Sequence, residues 1–445
     1  LLAGLGATCL PTHLSAAPKF STLYTFAGSD GAYPQWSGVV AGPKGSFYGE
    51  TLHGGTANEG TVFQMVPPAK GSKNWTLTTI HNFQGGVDGE EPYGLIEDAA
   101  GNLFGETYLG GTGVNCPTSG QKACGTVFEL SPPPQGQTAW TKTTLYSFQY
   151  DGTDGAAPRN GLVQDAAGDL FGSTLAGPDC YGPGGCGTVF ELKPPSQGQA
   201  AWTETTLYDF AIAGAEGLGP VGVPLLDAAG NLYGLTIAGG NFKRAHCAPV
   251  RGCGTIYKLS PPANGGTTWT QTTLWTFKGK DGLEPITALR MDAVGNLYGL
   301  TSGGGSAKDC PDDRGGEEGC GTLYELSPPA GGTGGWTLSV LWKFTGGKDG
   351  RLPYAAGLMP YGKNFITTTS GDEVNQYGSV DMFIPPDAKE PKWKEKTLFT
   401  FTNDANGENP ASLLLQQGNV FYGLTQGIYQ NTSPAPYGTV FSIKP

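Results

Sequence analysis

The chain has 445 residues, 38% hydrophobic and 11% aromatic, so apolar material for a core is ample, while 74 Gly and 34 Pro call for many turns. Only 14% of the residues are charged and the formal net charge is −12, with no run of Lys or Arg, which argues against a nucleic-acid partner.

The N-terminus opens with a short apolar run, Leu1–Leu10, followed by the small residues Ser15, Ala16 and Ala17. Residues 1–17 read as the remnant of a secretory signal peptide, cleaved near Ala16 or Ala17. The run is too short to span a bilayer. Cys9 lacks the Leu that a lipidation motif carries three positions upstream, where Gly6 stands. No later stretch reads as a membrane helix, and no anchor is legible at the C-terminus.

From residue 18 onward the chain repeats itself. An "LYxF" phrase recurs at Leu23, Ile80, Leu145, Leu207, Leu274, Leu341 and Leu398, at spacings of 57 to 67 residues. A "GTVF" phrase recurs at Gly60, Gly125, Gly187, Gly254, Gly321, Gly378 (as GSVDMF) and Gly438. Between them lies "GLxxDAAGNLYGxT", as at Gly94–Thr107 and Gly161–Thr174. Within one unit, "GLIED" and "NLFGET" flank a Gly-containing turn and predict a hairpin. A Gly-rich loop leads to "GTVFEL", a third strand that a Pro pair terminates. "WTKTTLYSF" is the fourth. Apolar residues alternate with small or polar ones, and no stretch sustains a helical period.

Four antiparallel strands repeated seven times predict an all-β fold, a seven-bladed β-propeller over residues 18–445. The chain begins on a fourth-strand phrase and ends on a third-strand phrase, so the N-terminal strand is expected to complete the last blade. The Trp five residues before each later "LYxF" (Trp75, Trp140, Trp202, Trp269, Trp336, Trp393) recurs too regularly for a ligand cage and predicts packing between blades.

Eight cysteines beyond the signal fall into close pairs, Cys116 with Cys124, Cys180 with Cys186, Cys247 with Cys253 and Cys310 with Cys320. Even count, local spacing and an export signal predict four disulfides, one in each of blades 2 to 5. Each closes a loop of roughly ten residues, worth about 2–3 kcal/mol in the chain-entropy picture. No zinc-ligand spacing is present and His is nearly absent, so neither a metal nor a cofactor is expected.

The unit "LYSF…DG..P..GL..D..GNLYG.T..GG…GTVFEL" resembles the tandem repeat named for Gloeobacter and Verrucomicrobia, the GloVer repeat of bacterial exported proteins, along essentially the whole mature chain. The resemblance implies an exported, propeller-like secreted or surface protein. Members often carry C-terminal anchors, whereas here the last repeat closes the sequence, so a soluble secreted protein is expected. No catalytic residues come with the family.

Each fourth strand leads into a "DGxxP" loop, as at Asp30–Pro34 and Asp154–Pro158, where Asp-Gly is turn chemistry rather than a calcium cluster. These loops and the disulfide loops are expected on one face. Positions that vary between blades on that face are the candidates for function. Next to the loop Pro stand Trp36, Tyr93, Arg159 and Tyr354, aromatic and cationic groups suited to a glycan. In "YGxT" the variable residue is Glu50 in blade 1 and Glu106 in blade 2, a carboxylate pair of the kind glycoside hydrolysis requires. No nucleophile elbow is evident, and the four His (His13, His53, His81, His246) have no partner at ligand spacing. The sequence therefore reads as an exported, non-catalytic and monomeric propeller, secreted or on the cell-envelope exterior, binding a polysaccharide or a surface protein. The alternative is a polysaccharide lyase or glycoside hydrolase acting on the open face.

Overall fold

Alternating apolar and polar positions are realised as strand in the computed structural model. Thr126–Ser131 buries Thr126, Val127, Phe128 and Leu130 and leaves Glu129 half-buried, and the matching strand in every other blade repeats much the same pattern. The structure describes residues 17–34, 38–114, 116, 124–178, 186–196, 201–211, 214–240, 252–263, 266–305, 310, 319–347, 349–350, 353, 357–370, 377–402, 405–410, 412–427 and 437–445. Among these no helix is long and apolar enough to cross a membrane.

Seven antiparallel sheets form, six of them built from chain-consecutive strands, and together they make the expected propeller. Blade 2 is representative, with strands Glu90–Glu97, Leu103–Leu109, Thr126–Ser131 and Thr141–Ser147. The first strand is interrupted in blades 3 and 5, where Ala156–Pro158 and Val163–Gln164, or Leu283–Pro285 and Arg290–Met291, share its course. In blade 7 the strands Leu415–Gln417, Val420–Thr425 and Thr439–Lys444 are joined by Lys19–Thr25 from the other end of the chain. The pairing runs from Lys19 opposite Lys444 to Thr25 opposite Thr439. The orphan N-terminal strand thus closes the ring, as its phrase predicted.

What welds blade to blade is aromatic. The Phe ending each "LYxF" meets the aromatic of "GTVF" in the next blade edge to face: Phe83 with Phe128 at 5.3 Å, Phe148 with Phe190 at 5.2 Å, Phe210 with Tyr257 at 5.2 Å and Phe277 with Tyr324 at 5.3 Å between centroids. Phe26 with Phe63, at 5.3 Å, carries the series across the ring closure. The second-strand glycine leaves room for the ring: a β-carbon on Gly105 would stand 2.6 Å from Phe128 Cζ. The recurrent Trp packs between blades too, Trp75 against Tyr422, Trp140 against Tyr48, Trp202 against Phe104 and Trp269 against Phe171.

Blade 6 departs from this pattern. Asp381 takes the place held by Phe63 or Phe128 elsewhere, and Thr367, not glycine, lies opposite it. Asp381 is fully buried, held by Ser379 Oγ at 2.5 Å, and its carboxyl is pushed well above the usual range by burial. Phe383, two residues on, supplies the contact to Phe344 instead.

Candidate functional site at the junction of blades 2 and 3

The "DGxxP" loops are shaped by three interlocking contacts that recur round the ring. The turn carboxylate caps its own loop: Asp154 accepts from the amides of Gln149 (2.8 Å) and Tyr150 (2.7 Å) and from the Tyr146 hydroxyl (2.9 Å). Tyr24 and Tyr208 donate likewise to Asp30 and Glu216, and Trp275 and Trp342 to Asp281 and Asp349. The polar aromatic of "LYxF" is therefore the partner of the turn acid. Beneath the turn glycine, the Thr of "YGxT" meets the Thr of "GTVF" hydroxyl to hydroxyl, as Thr107 and Thr126 do at 2.8 Å.

The third contact joins neighbouring blades. The residue before the loop Pro adopts a left-handed conformation although it is not glycine in five described cases, Tyr33, Glu91, Ala157, Glu284 and Asn409, with φ near +49 to +62°, while in blade 4 it is Gly219, at +63°. Its amide donates to the residue preceding "GTVF" in the blade before: Glu91 to Glu59, Ala157 to Cys124, Gly219 to Cys186 and Glu284 to Cys253, at 2.8–3.1 Å. The recurrent cysteine thus sits at the blade-joining carbonyl, beside the "DGxxP" loop of the following blade. Two disulfides are resolved between the predicted partners, Cys116–Cys124 and Cys310–Cys320. Cys186 and Cys253 are also disulfide-bonded, while Cys180 and Cys247, assigned to them by spacing, lie outside the described residues.

Of the four residues expected to bind ligand, Trp36 and Tyr354 lie outside the described residues. Tyr93 and Arg159 are brought together. The Arg159 guanidinium lies 5.6 Å above the ring of Tyr108, and Tyr93 meets Tyr108 edge on at 6.4 Å. Arg159 is exposed, Tyr108 half-buried and Tyr93 buried, at 6% exposure. Burial raises the Tyr93 hydroxyl's pKa, with the Arg159 charge opposing the rise, and burial likewise raises Glu91 beside them. Tyr108 was not singled out from the sequence, yet the repeat comparison could have found it: it follows "YGxT" directly, where Leu52 and Leu175 stand in blades 1 and 3.

The carboxylate candidates belong to the same neighbourhood. Tyr93 pairs in register with Glu106, so the two variable positions found separately in the sequence are one face of the blade. Both carboxyls are buried, Glu50 at 1% and Glu106 at 0% exposure. Glu50 accepts the amides of Gly94 (2.6 Å) and Leu95, and Glu106 those of Gly161 (2.9 Å) and Asn160, each in the following blade. Burial outweighs these bonds and pushes both carboxyls up to about 8, with Glu50 adding to the rise at Glu106. They are chiefly neutral acids at neutral pH. Among the described residues no cluster of three or more His, Cys, Asp or Glu suits a metal ion.

The family model described as the Gloeobacter/Verrucomicrobia repeat matches residues 115–310, from the blade 2 loop into blade 5. No curated protein matches the chain. Among solved structures, the extracellular domain assigned to a hybrid two component system of B. thetaiotaomicron superposes with a TM-score of 0.50 at 11% identity, over 97% of this chain and 41% of that one. A polysaccharide lyase, an ulvan lyase bound to its saccharide, gives 0.48 at 11% identity over 93% and 94%. At such identity the first likeness reaches the fold and no further.

Proposed function

We propose that this chain, a carrier of the Gloeobacter/Verrucomicrobia repeat, is an exported, non-catalytic propeller that binds an extracellular ligand on the face where blades 2 and 3 meet. Residues 18–445 act as one monomeric domain, outside the cytosol, where disulfides persist. The observation that carries the reading is the exposed Arg159 guanidinium resting on the Tyr108 ring. A cation laid on an aromatic platform, in a chain with a net charge of −12, suits an acidic sugar or a carboxylate on a surface protein. The disulfides beside the "DGxxP" loops support the same reading, since rigid loops lose less entropy on binding.

The enzymatic alternative rests on Glu50 and Glu106. Each is covered by the next blade and engaged by backbone amides, an arrangement that supports a joining role over proton transfer to a substrate. A panel of neutral, carboxylated and sulfated glycans tests both readings. Binding without chain shortening, weakened about tenfold or more in Arg159→Ala or Tyr108→Ala, is the expected result. Chain shortening abolished in Glu106→Gln would replace binding with catalysis.

A further inference from the structure

We infer that Glu50 and Glu106 are positioning residues for the ligand face: from one blade, each holds the backbone segment on which the next blade mounts its site residue. This rests on the binding reading above. Glu50 engages the amides of Gly94 and Leu95, directly after Tyr93, and Glu106 those of Asn160 and Gly161, directly after Arg159. Glu106 is also the register partner of Tyr93, so one residue pairs with Tyr93 in its own blade and holds the backbone just after Arg159 in the next. The Asn160 side chain extends the clamp, donating to Ser173 Oγ and to the Pro220 carbonyl of blade 4, both at 2.9 Å.

Other blades close without a carboxyl at this position. In blades 5 and 7 the equivalent position is Leu300 or Leu424, and a hydroxyl of the same blade makes the local bond instead: Leu300 donates its amide to Thr287 Oγ1 at 3.1 Å, and Leu424 to Ser412 Oγ at 2.9 Å. Blade 3 has Ser173 there. Reaching across to the next blade takes an acceptor longer than serine, and this pair stands where the following blades present Tyr93 and Arg159. Burying two acids is a cost that a purely structural ring avoids at this position elsewhere with leucine, serine or threonine.

The test uses the full chain with Glu106→Ser, the residue blade 3 already accommodates, and Glu106→Gln, whose amide carbonyl still accepts N–H bonds. Glu106→Leu, the residue type of blades 4, 5 and 7, stands in if the serine variant does not fold. Amide hydrogen exchange is followed without ligand, and binding of an oligogalacturonate is measured beside it. In Glu106→Ser, exchange at residues 160–161 should rise about tenfold or more while blade 5 stays unchanged, and oligogalacturonate affinity should drop by a similar factor. Glu106→Gln should restore both. Unchanged exchange and affinity in Glu106→Ser would overturn the inference while leaving the binding reading intact. A loss of melting temperature with full affinity would reduce Glu106 to a structural residue and overturn it too. Failure of the wild-type chain to bind any glycan or surface protein would sink the binding reading, and this inference with it.

Discussion

Pro34 and Gly438 meet across the seam of the ring: a β-carbon on Gly438 would stand 2.5 Å from Pro34 Cδ. The same contact joins Gly60 to Pro92, Gly125 to Pro158, Gly187 to Pro220, Gly254 to Pro285 and Gly378 to Pro410. The closing junction is therefore built like the others. Gly438→Ala adds a side chain where φ is +102° and space is absent, so we expect a loss of about 1–3 kcal/mol. Removing residues 18–26 should cost far more, because it strips the outer strand from blade 7. Thermal unfolding of both variants checks this; a truncated chain as stable as the parent would mean the seam contributes nothing.

The inter-blade aromatics predict a second effect. Phe277 is fully buried against Tyr324 of the next blade. Phe277→Ala should destabilise the chain by about 3–5 kcal/mol, read from denaturant titration. Leucine at the same place should recover a large part, since it refills most of the space while losing the edge-to-face geometry.

Stability should depend on pH through the two buried acids. Their folded pKa of about 8 lies above the ordinary carboxyl value of 4.5, so the native state holds protons that the unfolded chain releases. Their contribution is fully present below the ordinary value and is lost as pH rises through about 8. Unfolding free energies of wild type and of the Glu50→Gln/Glu106→Gln double variant, compared from pH 5 to about pH 9, should converge at the acidic end and separate at the basic end, with wild type falling. Parallel curves would mean the two carboxyls titrate alike in both states.

Blade 6 offers a test of the repeat logic itself. Asp381→Phe alone would drive a ring against Thr367, where the other blades leave a glycine. Adding Thr367→Gly should relieve the clash, so the double variant is expected to be more stable than Asp381→Phe by about 1–3 kcal/mol. Simple additivity would show that the two positions are not in contact.

The disulfides predict a modest, local effect. Replacing Cys116 and Cys124 by serine together should cost about 2–3 kcal/mol and leave the propeller assembled. Non-reducing peptide mapping should return local pairs throughout; a bridge between blades would contradict the arrangement.

Strand number, blade number and the closure by Lys19–Thr25 were all legible in the residue order, because period-two burial and turn glycines are local properties copied seven times. Local disulfide pairing was legible for Cys116–Cys124 and Cys310–Cys320, whose short spacing allows it. So was the packing role of the recurrent Trp, which repetition separates from a ligand cage. What the repeats could not reveal is who meets whom across strands and between blades. That Tyr93 and Glu106 share one face, that Arg159 lies over Tyr108, and that Glu106 reaches Asn160 and Gly161 depend on register and on the approach of residues many positions apart. The protonation of Glu50 and Glu106 likewise follows from burial by a neighbouring blade, a property of the closed ring that no single repeat contains.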